Sequence, residues 1–207
     1  MKTKTLRKMP AMILSRRYSI LFGADDTART MLRKGNYNHA DDFPCKNHGQ
    51  LKPCRADVEV VGFNVSISPA ETTEVLKELG KSAASFEHLL GVGYQYPTIL
   101  DEILKHFRDL ISLSHREALS PEVADQVVTA ETIMKDSRVS IVSIGPSIGT
   151  CVVDLYVFPV LTNNKVFGAG KNLIGYHANQ NRILEPGHFF LVMDQRREET
   201  KTPFLRN

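Results

Sequence analysis

The chain has 207 residues, 42% of them hydrophobic and 24% charged, with a formal net charge of +3. These values exclude a disordered or fibrous chain and fit a soluble fold with a sizeable core. Its three cysteines, Cys45, Cys54 and Cys151, are too few for a secreted disulfide scaffold, and the odd count leaves at least one thiol free within a monomer, so a reducing, cytoplasmic setting is expected.

The charge is uneven. Residues 1–24 carry six basic side chains and no acid, whereas the other 183 carry 20 basic and 23 acidic groups. The division expected is a basic head at 1–24 and a single α+β domain at 25–207, with a polar loop at 35–55. The head suits phosphate, on RNA, DNA or an anionic membrane surface. Lys2, Lys4, Arg7, Lys8, Arg16 and Arg17 are its candidate phosphate-binding residues, with Lys34, Lys46, Lys52 and Arg55 as auxiliaries. The apolar run from Met9 to Leu14 contains Pro10 and stops at Ser15-Arg16-Arg17, which is too short for a secretory signal. A mitochondrial-type presequence fits the composition, but a basic start on a cytosolic protein is the simpler reading. Arg16-Arg17-Tyr18-Ser19 also matches the basic-plus-serine pattern of kinase targets, where phosphate would reduce the head's charge.

Residues 18–22, YSILF, predict a short strand, and 25–34 a brief helix with Ala28, Met31 and Leu32 on one side. A turn-rich stretch runs from Gly35 to Pro53. Residues 57–68, DVEVVGFNVSIS, alternate as a strand whose phase changes at Val61-Gly62, which predicts a bulge. Ser68-Pro69-Ala70-Glu71 opens a helix with a capping box. That helix is expected to reach about Leu90, bending at Gly80. A second spans 98–119, with Leu100, Ile103, Leu104 and Phe107 in its stripe, and a third runs from Ser120-Pro121 to Lys135. The period then changes. Residues 139–144, 151–161, 165–168, 173–178 and 188–193 read as strands. The class is therefore α+β, a three-helix section packed on a mainly antiparallel sheet with a β-rich C-terminal half. Residues 139–161 are long enough for a membrane span, but Gly145-Pro146, Asp154 and Pro159 favour two buried strands, so no transmembrane segment is expected.

Four places carry chemically useful side chains. His39, Cys45, His48 and Cys54 lie within 16 residues, the kinds of ligand that zinc takes in a tetrahedron, but their spacing matches no common finger; a Cys45–Cys54 disulfide is an alternative. The expectation is no metal and no cofactor. The run Gly168-Ala169-Gly170-Lys171-Asn172 lacks the Walker glycine and hydroxyl, so it reads as a hairpin turn ahead of an anion-holding nest beside Lys171. Cys151, Asp154, His177 and His188 permit a nucleophile–base–orienter set, but nothing in their spacing demands one. Tyr94 and Tyr96 lie between predicted helices, where they cover a helix end or anchor a partner. His88, His106 and His115 fall on helices without ligand spacing.

No intact catalytic motif emerges. The expected function is a non-catalytic structural or adaptor protein whose partner is itself or another protein, since strand edges need covering. The alternative is a nucleic-acid- or anionic-membrane-binding protein using the basic head, with a small zinc-ordered loop as an added possibility.

Overall fold

A computed structural model describes residues 9–38, 53–115, 119–145, 157–177 and 179–194, with Val157 and His177 described by backbone alone. The elements run β1 (Met12–Phe22), α1 (Ala28–Lys34), β2 (Cys54–Phe63), α2 (Pro69–Glu78), β3 (Lys81–Ala83), α3 (Phe86–Gln95), α4 (Ile99–Ser114), α5 (Pro121–Asp136), β4 (Ser140–Val142), β5 (Val157–Thr162), β6 (Asn172–His177) and β7 (His188–Asp194). The class is α+β, with an open, mixed and mostly antiparallel sheet of seven strands.

The strand order is β1-β2-β7-β4-β5-β6. β7 is the hub. One of its edges pairs antiparallel with β2, while the other meets β4 in parallel at residues 188–190 and β3 in antiparallel at 192–194. Its central residues Phe189, Phe190, Leu191 and Val192 are all buried, as expected of a strand covered on both faces. The β4–β5 ladder stops where Ser143 donates to the carbonyl of Pro159. Proline has no N–H with which to return that bond.

Each sheet face has its own core. On one, Tyr18, Ile20 and Phe22 of β1 and Val58 and Val60 of β2 meet Leu89 of α3 and Ile103 and Phe107 of α4. On the other, Val61 and Phe63 pack with Leu76 of α2, Phe158, Val160 and Phe190. Each fully buried large apolar side chain contributes about 1.5–3 kcal/mol, so the two layers together hold the sheet flanks.

This two-sided burial explains the phase change in the sequence. β2 carries no bulge at Val61-Gly62; its apolar residues simply switch from serving one core to serving both. The register irregularity lies instead between Met12 and Leu14 of β1, opposite Phe63 and Gly62. β2 also ends at Phe63 rather than continuing to Ser68.

The helix expected over 69–90 is two helices with β3 between them. Gly80, at φ +67°, adopts a left-handed conformation that stops α2. Ser85 then starts α3 with a capping box in which His88 takes the place of the usual acid. The capping box expected at Ser68 and Glu71 forms, with Pro69 in the first turn. The predicted stripe of α4 is buried at Leu100, Ile103, Leu104 and Phe107, and the helix ends at Ser114. Residues 165–167 form a 3-10 turn, not a strand, because the Asn164 side chain accepts from the Val166 amide and curls the chain. Among the described residues no helix is long and apolar enough to cross a membrane.

Candidate functional site

Arg16 and Arg17 are consecutive residues of a strand, so they leave opposite faces of the sheet. Arg16 turns to the helices, where its guanidinium lies 3.3 Å from the Glu102 carboxylate of α4. Arg17 turns to the open polar face, 3.7 Å from Glu59. The structure therefore does not bring these two together as one basic patch. Lys2, Lys4, Arg7 and Lys8, with the auxiliaries Lys46 and Lys52, lie outside the described residues. Lys34 pairs with Asp26 at 3.1 Å. Arg55 donates to Ser19 Oγ at 2.6 Å, so the serine of the kinase-like pattern is engaged within the β1–β2 ladder.

That open face holds a charge cluster around a hollow of about 290 Å³. Glu59, nearly buried, accepts from Lys81 Nζ at 2.6 Å, and Ser15 Oγ also donates to it. Lys81 reaches Asp194 at 3.1 Å as well. Burial pushes the Lys81 ammonium down, but its hydrogen bonds to Glu59 and Asp194 outweigh that and leave it raised. The cluster joins β1, β2, β3 and β7, and its charges are spent on one another.

A larger cleft, of about 600 Å³, opens between the end of α5 and the turn before β7. His188 stands in it. Its Nδ1 lies 3.1 Å from the Glu185 carbonyl, which can only accept, so Nδ1 carries the proton and Nε2 presents a lone pair. Tyr176 Oη is 3.4 Å from that Nε2, and the Arg182 guanidinium sits 4.2 Å over the tyrosine ring. Burial, reinforced by Arg182, lowers the His188 pKa and keeps the imidazole neutral. The arrangement can hold and orient a hydrogen-bonding group. Of the possible thiol set, Cys151 and Asp154 and the side chain of His177 lie outside the described residues.

His39, Cys45 and His48 also lie outside them, and Cys54 is an exposed free thiol at the start of β2. Among the described residues no three His, Cys, Asp or Glu side chains converge to hold a metal ion.

The glycine run is a hairpin loop joining β5 to β6. Fully buried Asn172 organises it: its Nδ2 faces the carbonyls of Thr162, Asn164, Gly168 and Gly170 at 3.2–3.5 Å. Asn38 completes the loop by donating to Ala169 O and Asn172 Oδ1. Lys171 does not face an anion nest. Its ammonium donates to the Gly93 carbonyl near the C-terminal end of α3 and lies 4.5 Å over the Tyr37 ring. A cation there suits the negative end of the helix dipole.

The two outer edges of the sheet differ. On β1, Tyr96 Oη donates to the Ser19 carbonyl and accepts from its amide, and Gln95 does both for Leu21. Side chains from the C-terminal end of α3 therefore cap this edge at Ser19 and Leu21, and Tyr96, packed 4.8 Å from Tyr18, serves the fold. On β6, Leu173 donates outward to Asn38, which places the Gly175 backbone groups on the same outer side. Gly175 is exposed, and among the described residues nothing pairs with its outer groups. Sequence reasoning missed this capping of Ser19 and Leu21 because its signal, a Gln-Tyr pair at the end of a helix, gains meaning only once α3 lies beside the strand.

No family model matches this chain, no curated protein matches its sequence, and no solved structure matches its fold.

Proposed function

We propose that this protein is a non-catalytic structural or adaptor protein that self-associates through the β6 edge. The observation that carries the reading is the bare outer backbone of Gly175: β6 is paired at its start by Asn38 and open at Gly175 among the described residues, whereas β1 is capped at Ser19 and Leu21 by Tyr96 and Gln95. An open edge is a template for another strand. Two copies related by a two-fold axis at Gly175 join their sheets by antiparallel pairing, a self-complementary contact. Glycine offers no side chain to obstruct it.

Gly175→Pro is the test. The outer position tolerates proline within the β5–β6 ladder but loses the donor needed by a second chain. The wild-type chain is expected to sediment as a dimer at tens of micromolar, and Gly175→Pro as a folded monomer. A monomeric wild type, or a dimer unchanged by Gly175→Pro, overturns the reading.

The second reading is polyanion binding through the head. It is favoured by the four basic residues within positions 1–8 and the exposed Arg17 on the open face. A chain beginning at Met9 retains β1 and so separates binding from folding. It should lose most salt-sensitive affinity for RNA, DNA or anionic vesicles. Unchanged affinity across a salt series removes the head from this role, and comparing oligonucleotides with vesicles identifies the preferred anion.

A further inference from the structure

A groove of about 330 Å³ runs beside α2. Its lining is mainly apolar, formed by Met9 and Pro10, by Val65 and Ile67 after β2, and by Val75 of α2. Met9 and Val65 each remain 42% exposed. Glu71, Glu74 and Glu78 stand along the rim, near one-turn spacing on a single helix side. Glu71 already serves the helix cap, but Glu74 and Glu78 are exposed, and among the described residues no cation pairs with either. An apolar hollow bounded by carboxylates fits a basic segment that carries an apolar anchor.

The chain itself supplies one. Residues 1–8, MKTKTLRK, hold four cations, no acid and one leucine, and they lead directly into Met9 in the groove wall. Leu6 precedes Met9 by three residues, so the backbone cannot carry it more than roughly 10 Å away. So short a tether gives an effective concentration on the order of millimolar, more than two separate molecules reach at working dilution. We propose that the groove beside α2 is the docking site of the chain's own residues 1–8, with Leu6 over the apolar floor and the basic side chains facing Glu74 and Glu78. Docked in this way, the head's charge is held by the body, and a polyanion must displace carboxylates to reach it. The contact is independent of the β6 edge.

Limited trypsin digestion tests the contact, since Lys4, Arg7 and Lys8 are all cleavage sites. A free peptide of residues 1–10 corrects for the salt dependence of trypsin. At low salt the intact chain should be cut after Arg7 and Lys8 at least tenfold more slowly than the peptide. The exposed pair Glu74→Gln/Glu78→Gln should raise the rate to that of the peptide, as should high salt in the unaltered chain. Protection should be independent of protein concentration and persist in Gly175→Pro, so loss of dimerisation and loss of docking are read separately. Equal cleavage of the chain and the peptide at low salt overturns the proposal. So does protection unchanged by Glu74→Gln/Glu78→Gln. Protection that fades on dilution also overturns it, by assigning the groove to the head of a second copy.

Discussion

The rings of Tyr176 and His188 lie 5.8 Å apart, although β4 and β5 separate their strands in the sheet. In a flat sheet three strand spacings amount to roughly 14 Å, and the rings do not meet. The contact requires a sheet coiled well beyond the plane, in the sense that strand twist provides. Both residues line the large cleft.

Acid should weaken the fold through His88. Burial lowers its pKa from 6.5 to about 4, offset in part by neighbouring Glu87. Its Nδ1 lies 2.8 Å from Ser85 Oγ in the α3 cap. The folded pKa is below the unfolded one, so the unfolded chain binds more protons between these values. Stability is then fully present above pH 6.5 and falls as pH drops toward 4, by roughly 3 kcal/mol in all. Burial lowers His106 and His188 too, which adds to the same slope. Urea unfolding at several pH values should show this decline, and His88→Gln should flatten it. An equal slope in His88→Gln would place the acid sensitivity elsewhere.

Removing one partner of the buried charge pair should cost more than removing both. Lys81 and Glu59 side chains are only 11% and 7% exposed. Lys81→Met leaves the Glu59 carboxylate with weaker support and should destabilise by about 3 kcal/mol. Lys81→Met/Glu59→Leu should recover most of that loss in denaturant titrations. A double variant as unstable as the sum of the single ones argues against coupling.

Asn172 should be irreplaceable by its nearest relative. Asn172→Ala removes the two N–H donors that four loop carbonyls share and is expected to cost about 2–3 kcal/mol. Asn172→Asp should be worse at neutral pH, because it sets a carboxylate oxygen against those carbonyls. Thermal unfolding of both variants checks the order, and an aspartate variant more stable than the alanine one contradicts this account of the loop.

Gly62 is required by space. A Cβ there stands 2.5 Å from two ring atoms of Phe189, whose ring stacks on Phe107 at 5.8 Å. Gly62→Ala should destabilise by about 1–3 kcal/mol through overpacking. Gly80→Ala meets open space but a left-handed backbone, so its smaller cost should come from conformation alone. Comparing the two by denaturant midpoint separates crowding from backbone strain.

Two helix starts were legible in the sequence because their physics is local: Ser68 and Ser120 accept from backbone amides only three residues away, and the helices expected there start at those caps. Ser85 makes the same bond, but the apolar residues on either side of it read as one helix. The stripes of α1 and α4, the α+β class and the hairpin at the glycine run likewise follow from periodicity and turn chemistry. Gly80 was misread as a bend because a glycine's sign of φ is not written in its neighbours. The phase change in β2 looked like a bulge because alternation reports one buried face, and only the second core beneath Val61 and Phe63 reveals two. Nothing local could pair Tyr176 with His188, Lys81 with Glu59, or Gln95 with the edge of β1. Those contacts span 12, 22 and 74 residues of chain. They form because strand order and sheet coil, set by burial across the whole molecule, bring distant polar groups to places where each must find a partner.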